Sequence, residues 1–318
     1  MPEKRPVVVI TETLADKPAE WLGKRAELVW VGLDDPDALQ AALARADALL
    51  VRTYTQVTGE LLDQAPNLKV VGRAGVGLDN IDLDAARERG MPVVYTPDAN
   101  TQAVVEYVFG LLLDVLRPRT ELTRTSADRF HELRKSEVGE QLDQLTLGIL
   151  GFGRIGKRVG EVAHAIGMNL KVCDLLPEAE LRKAVDYPFA FVSHDELYAR
   201  SDIVTLHVDG RPANRHLLDR EALGKLKPHC LLVNAARGML VDAEALADWA
   251  RAHARATAVL DVHDPEPPPA DYPLWGLDNV HLLPHLASRT DAALDNMSWV
   301  VRDIWAVLEG RSPQFPAT

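Results

Sequence analysis

Short β-branched runs alternate with stretches of helical periodicity along the whole chain, and this pattern restricts the fold more than any other feature. The runs are apolar at successive positions, as in LGIL, IVTLHV and CLLVN. Successive side chains of a strand point to opposite faces, so such runs need cover on both sides. Helices on both faces of a parallel sheet supply that cover, which places the chain in the α/β class. Strands are expected over residues 7–11, 27–31, 48–52, 68–72 and 92–95, with helices such as 36–45 and 83–89 between them. A second series is expected at 145–150, 170–174, 202–208, 230–234, 258–262 and 280–283. Two series imply two doubly wound parallel-sheet units.

The length of 318 residues suits two ordinary domains. Thirty-five Lys and Arg against 47 Asp and Glu give a net charge of −12, which argues against a nucleic-acid partner that needs a basic face. The most apolar stretch, 104–116, is interrupted by Glu106 and Asp114, so no membrane span is expected. The start, MPEKRPVVVI, lacks a signal-peptide core. Cys173 and Cys230 both lie in apolar runs and suggest neither a disulfide framework nor a metal site. Reduced core thiols in a cytoplasmic protein are the expectation. Three segments look like connections: a long apolar helix Thr101–Leu116 with Asn100 as N-cap, a charged arm over 117–144, and one amphipathic helix over 291–308.

Gly151-Phe-Gly153-Arg-Ile-Gly156 follows the run LTLGIL and opens a helical pattern over 155–166. Asp174 ends the next expected strand. In a dinucleotide site the first glycine makes the tight turn, the second admits the pyrophosphate, and the third lets helix and strand pack closely. The helix N-terminus offers N–H donors to the phosphates. Asp174 would accept from the adenosine ribose and repel a 2′-phosphate, and no basic residue follows it, so NAD is preferred over NADP.

Three more residues fall after expected strands, where open parallel sheets bind ligands. Arg237 follows CLLVN, and its planar fork suits a carboxylate with a neighbouring carbonyl oxygen. Glu266 lies in DVHDPEP and His285 in LLPHLAS. A histidine held at one ring nitrogen by a carboxylate has a fixed tautomer and a stabilised imidazolium, which suits proton exchange with a hydroxyl or carbonyl. Spacing alone does not place Glu266 against His285.

The stretches VVGRAGVGLDNIDLDAARERG, LGILGFGRIGKRV, SDIVTLHV, LVNAARGMLVD, AVLDVHDPEP and LLPHLASRT, in this order and spacing, resemble the NAD-dependent D-2-hydroxyacid dehydrogenases. Their D-3-phosphoglycerate dehydrogenase branch is the most similar, in a short form without a regulatory domain. The resemblance implies a Rossmann NAD-binding domain over 99–286, inserted into a flavodoxin-like substrate domain formed by 1–98 and 287–318. It implies Arg237, Glu266 and His285 as catalytic residues. For the cofactor it implies Gly151, Gly153, Arg154, Ile155, Gly156, Asp174, His207, Val208, Ala235, Ala236, Arg237, Asp261, His285 and Ser288. For the substrate it implies Arg52, Thr53, Arg73, Ala74, Gly75, Val76, Gly77 and Asn100, with Arg237 and His285. It implies a homodimer through the cofactor domain, embraced by the 117–144 arm.

The chain also departs from the family pattern. The His-x-Pro-Leu stretch reads His207-Val-Asp209-Gly, which could alter contacts around the adenine. Ala103-Val-Val-Glu106 is reminiscent of erythronate-4-phosphate dehydrogenases, and LASRT replaces a glycine-rich run. The resemblance, with Arg52 and Arg73 able to meet a phosphate, makes D-3-phosphoglycerate the expected small-molecule substrate. The departures keep glyoxylate/hydroxypyruvate reduction or erythronate-4-phosphate oxidation as alternatives. An NAD-sensing protein resembling the transcriptional corepressors of this fold is the alternative of another class; it would bind NAD without turning over.

Overall fold

The computed structural model describes residues 5–318. The chain divides into two compact units, one from Met1–Asn100 with Ser288–Thr318 and the other Thr101–Ala287.

The first unit holds five parallel strands: β1 (Val7–Ile10), β2 (Glu27–Trp30), β3 (Ala48–Val51), β4 (Val70–Arg73) and β5 (Val93–Tyr95). Their order is β2-β1-β3-β4-β5. Val8 pairs with Leu28 on one side and Ala48 on the other, so β1 is interior and wholly buried. β2, whose run ELVW opens on a glutamate, sits at the edge, which leaves Trp30 exposed. The helix Val301–Leu308 packs across β4, where Ile304 seats over Gly72. Complete burial of an isoleucine contributes about 1.5–3 kcal/mol.

The single helix expected over 291–308 is instead two, Asp291–Ser298 and Val301–Leu308. Ser298 accounts for the break. Its hydroxyl donates to the Leu294 carbonyl and accepts from the Ala15 N–H. A serine that bonds back to the preceding turn bends the helix there. Asn100 also departs from expectation. It precedes Thr101–Leu116, but its buried Oδ1 accepts no hydrogen bond and caps nothing.

The second unit holds β6 (Thr146–Leu150), β7 (Asn169–Cys173), β8 (Ala190–Phe191), β9 (Ile203–Leu206), β10 (Leu231–Asn234), β11 (Thr257–Leu260) and β12 (Val280–Leu282). All are parallel, in the order β12-β11-β10-β9-β6-β7-β8. Each central strand feeds two cores. Leu150, Leu206, Leu232 and Leu260 enter one. Leu147, Ile149, Ile203, Val233 and Val259 enter the other. β8, two residues at the sheet edge, carries too short a signal to be read from sequence. The 117–144 arm holds a helix Phe130–Ser136 and is mostly exposed.

Both cysteines are buried, which pushes the Cys173 thiol up to about 11 and the Cys230 thiol to about 12. Among the described residues no helix is long and apolar enough to cross a membrane, and no cluster of His, Cys, Asp and Glu is arranged to hold a metal ion.

Candidate active site

In the parallel sheet of the second unit every strand ends on the same side, and the chain there carries most of the expected site residues. Gly151 leaves β6 with φ of +89°. A Cβ on it would lie 2.6 Å from the His207 carbonyl, so the turn sits directly against the segment after β9. Only glycine combines that conformation with that approach. Gly156 packs against the Gly151 carbonyl in the same way. The helix Arg154–Ile166 opens at Gly153 without a side-chain cap, and a Cβ on Gly153 would meet only open space. Arg154 is exposed and Ile155 half-buried in the first turn.

Asp174, just beyond β7, accepts from the Phe152 N–H at 2.5 Å and from the Leu176 N–H at 2.8 Å. The carboxylate is thus tied to the glycine turn. An uncapped helix start, an open glycine and a fixed carboxylate together fit a dinucleotide. Across the turn, His207 Nε2 lies 3.0 Å from the Thr205 hydroxyl. Burial lowers this imidazole to about 3, so it is neutral. Val208 packs into the core beside it. Asp209 pairs with Arg211 through both carboxylate oxygens. Those hydrogen bonds, aided by the charge of Arg237, hold its carboxyl below the usual range.

Beyond β10 the buried Asn234 shapes the loop. Its amide donates to the Arg237 carbonyl at 2.8 Å and its Oδ1 accepts from the Ala236 N–H at 3.0 Å. Ala235, Ala236 and Arg237 are half-buried, and Arg237 Nη1 donates to the Ala236 carbonyl.

Glu266 and His285 meet: the Nδ1–H of His285 donates to Glu266 Oε2 at 2.9 Å. Burial disfavours the Glu266 carboxylate, but the hydrogen bond and charge of His285, with the His263 N–H, outweigh it and leave the carboxyl below its ordinary value. His285 has φ of +56°, a left-handed conformation that costs a non-glycine residue about 1–3 kcal/mol. The next two N–H groups, of Leu286 and Ala287, both donate at 2.8 Å to the fully buried Asp261 carboxylate, which holds the bend in place. Tyr107 donates to the same carboxylate, and burial with that charge raises its hydroxyl to about 12.

In the first unit the loop after β3 closes around Glu12. Its carboxylate accepts from the N–H groups of Arg52, Thr53, Tyr54 and Thr55 and from the Thr55 hydroxyl. Burial opposes ionisation there, and the four backbone donors overcome it, so the carboxyl lies below its usual value. Arg52 is buried, with Nη1 donating to the Thr13 carbonyl. After β4, Arg73 and the buried Ala74 lead into Gly75, whose carbonyl accepts from both the N–H and the hydroxyl of Thr96. Val76 and Gly77 follow, half-buried. Ser288 opens the returning segment of this unit.

Sequence reasoning missed Glu12, Tyr107, Asn234 and His263. Only Asn234 carried a local signal, at the end of CLLVN. The others act on partners 40 or more residues away for Glu12, 154 for Tyr107 and 20 for His263.

A family model described as D-isomer specific 2-hydroxyacid dehydrogenase, NAD binding domain, matches residues 109–287. The D-3-phosphoglycerate dehydrogenase of Mycobacterium leprae is 42% identical over 292 residues, covering 91% of this chain and 54% of that protein. The hydroxypyruvate reductase of Thermotoga maritima is 36% identical over 261 residues, covering 81% and 83%. A crystal structure of D-lactate dehydrogenase from Aquifex aeolicus, complexed with NAD and lactic acid, matches with a TM-score of 0.80 at 26% identity, covering 96% of each chain. The chain spans about half the length of the phosphoglycerate dehydrogenases it matches. On the matched NAD-binding domain and these identities, the chain belongs to the D-isomer-specific 2-hydroxyacid dehydrogenase family.

Proposed function

We propose that this chain interconverts a D-2-hydroxy acid and its 2-oxo acid with NAD, and that the second unit binds the cofactor and supplies the groups that act on the acid. The observation that carries the reading is the 2.9 Å bond between His285 and Glu266 at the carboxyl end of the second sheet. With Nδ1–H committed to the carboxylate, neutral His285 has its lone pair on Nε2 and takes the hydroxyl proton in oxidation. In reduction the imidazolium returns that proton, and Glu266 stabilises the charged ring in both directions. Arg237, braced by Asn234, holds the substrate carboxylate through its fork. Bound NAD supplies the hydride acceptor. Gly151, Gly153 and Gly156 with the first turn at Arg154 and Ile155 would hold its pyrophosphate, and Asp174 would accept from the adenosine ribose. In the second unit His207, Val208, Ala235, Ala236 and Asp261 would add further contacts to the cofactor; Ser288 is assigned to it on the sequence resemblance alone.

For the substrate side we assign Arg52, Thr53, Arg73 and the 74–77 backbone, with Asn100, whose buried Oδ1 lacks a donor. D-3-phosphoglycerate is the leading substrate, supported by the relatives of that name and by the two arginines. Hydroxypyruvate reduction is the second reading, favoured because the relative of that name matches over most of its own length. We further assign a homodimer through the second unit, supported by exposed Leu113, Leu122, Phe130 and Val138 on and beside the arm, and a cytoplasmic location, supported by the two buried thiols.

The test is a screen for NADH formation over phosphorylated and unphosphorylated D-2-hydroxy acids, with hydroxypyruvate and glyoxylate in the reverse direction. Turnover on D-3-phosphoglycerate alone supports the first reading. NAD binding without turnover of any acid would mark a sensing protein instead.

A further inference from the structure

We propose that His263 is a positioning residue that ties together the three loops carrying Arg237, Glu266 and His285. The inference rests on the proton-transfer reading above.

His263 reaches each loop by a different group. Its backbone N–H donates to Glu266 Oε1 at 3.3 Å. Its ring Nε2 lies 2.8 Å from the carbonyl of Leu283, two residues before His285. Its own carbonyl lies against Gly238, next to Arg237, so closely that a Cβ on Gly238 would fall 2.0 Å from the oxygen. A carbonyl only accepts, so the Leu283 bond requires the proton on Nε2 and leaves the lone pair on Nδ1. That Nδ1 is buried with no partner. The residue is 7% exposed, and its ring meets Tyr272 edge-on at 5.8 Å. The titratable groups placed near it are Glu266, Asp264 and Tyr272 on its own loop, and His285, which pairs with Glu266 beyond β12.

A phenylalanine would fill this volume and leave no buried nitrogen without a partner. Only the donor to Leu283 separates histidine from it. The Leu283 N–H already donates to the Leu260 carbonyl, and Asp261 holds the bend after His285. The bond from His263 adds the tie on the Leu283 carbonyl, between those two, and so sets the distance from His285 Nδ1 to the carboxylate that the His263 N–H also holds. Without it the pair is held less closely in register. Misplacing a reacting group by about 1 Å can cost on the order of 10²-fold in rate.

Three variants test this in the full chain: His263→Phe, which removes the donor, His263→Gln, which keeps an amide N–H in place of Nε2–H, and His285→Ala. NADH formation is followed against pH on the acid that the screen turns over. His263→Phe should lower kcat by about 10- to 100-fold with little change in KM. Its oxidative pH limb, which needs neutral His285, should move to lower pH as the carboxylate partner is lost. His263→Gln should recover most of both. In the unmutated protein, long-range ¹⁵N spectra of labelled histidine should show His263 as the Nε2–H tautomer. The positioning role is overturned by native kcat and an unmoved limb in His263→Phe, by equal impairment in Phe and Gln, or by an Nδ1–H tautomer. The tautomer decides the matter if His263→Phe does not fold. Near-full activity in His285→Ala would overturn the underlying proton-transfer reading instead.

Discussion

The two sheets share one architecture but finish their strands in opposite ways. At the carboxyl end of the second sheet, side chains hold side chains and short backbone segments: Glu266 holds His285, Asp261 holds the bend after it, and Asn234 braces Arg237. At the carboxyl end of the first, one carboxylate collects four successive backbone N–H groups. Glu12 is thereby committed to the loop: Oε1 accepts from three of the N–H groups and the Thr55 hydroxyl, and Oε2 from the Thr53 N–H. A polar network of the first kind places titratable atoms where a proton can move. One of the second kind shapes a cradle of backbone and leaves the guanidinium of Arg52 as its chemical group. The contrast teaches that chemistry and shape-holding have been separated between two copies of the same layered plan.

Substitutions in each sheet put this contrast to the test. The largest effect is expected at the second sheet, where His285→Ala should reduce turnover by about 10²–10⁴-fold while NAD affinity survives. Steady-state rates and a cofactor titration on the same preparation measure both. Next, Arg237→Lys replaces a fork by a point charge and should lower kcat/KM by about 10- to 150-fold, the equivalent of about 1.5–3 kcal/mol for a bond to a charged group. Glu266→Gln should move the oxidative pH limb downward, because the imidazolium loses its carboxylate. An unmoved limb would break the pairing. Asp174→Ala should bring the NAD and NADP values of kcat/KM closer by about tenfold, since the repulsion of a 2′-phosphate is gone. Equal use of both cofactors by the unmutated protein would sink that prediction.

The first sheet should answer with stability rather than rate. Glu12→Gln leaves one oxygen to accept and adds a donor that opposes the loop N–H groups. It should cost about 1–2 kcal/mol of folding stability, allowing for the partial exposure of Glu12. The Glu12 carboxyl titrates below its ordinary value in the folded chain. Its stabilisation is therefore complete above the unfolded value near 4.5 and is lost as pH falls through the lower folded value. Denaturant midpoints of the two proteins should converge over that acid range. Identical midpoints at neutral pH would erase the distinction between the two sheets.

Much of the fold was legible because burial on both faces writes itself into consecutive residues, as in CLLVN, which became the interior strand β10. Legibility failed where the deciding partner is distant. The break at Ser298 depends on Ala15, and the role of Glu12 depends on N–H groups 40 or more residues further on. β8 failed for a different reason, since two residues at an edge have no periodicity to show. In the site, Arg237, Glu266 and His285 could be placed at strand ends, but only the folded chain brings Glu266 to His285. Asn100 shows the converse: a good capping residue in the right place whose oxygen caps nothing.

The first unit is assembled from segments that lie on either side of the 187 residues of the second. During synthesis at about 5–20 residues per second, roughly 10–40 s separate the emergence of β5 from that of the helices that cover β4. Through that interval the groove over Gly72, later filled by Ile304, stays open to the solvent. The inserted unit, continuous in the chain, can meanwhile complete itself. Nascent chains should therefore gain the capacity to hold NAD before the five-stranded sheet resists protease, and holdase chaperones should bind the earlier-made half.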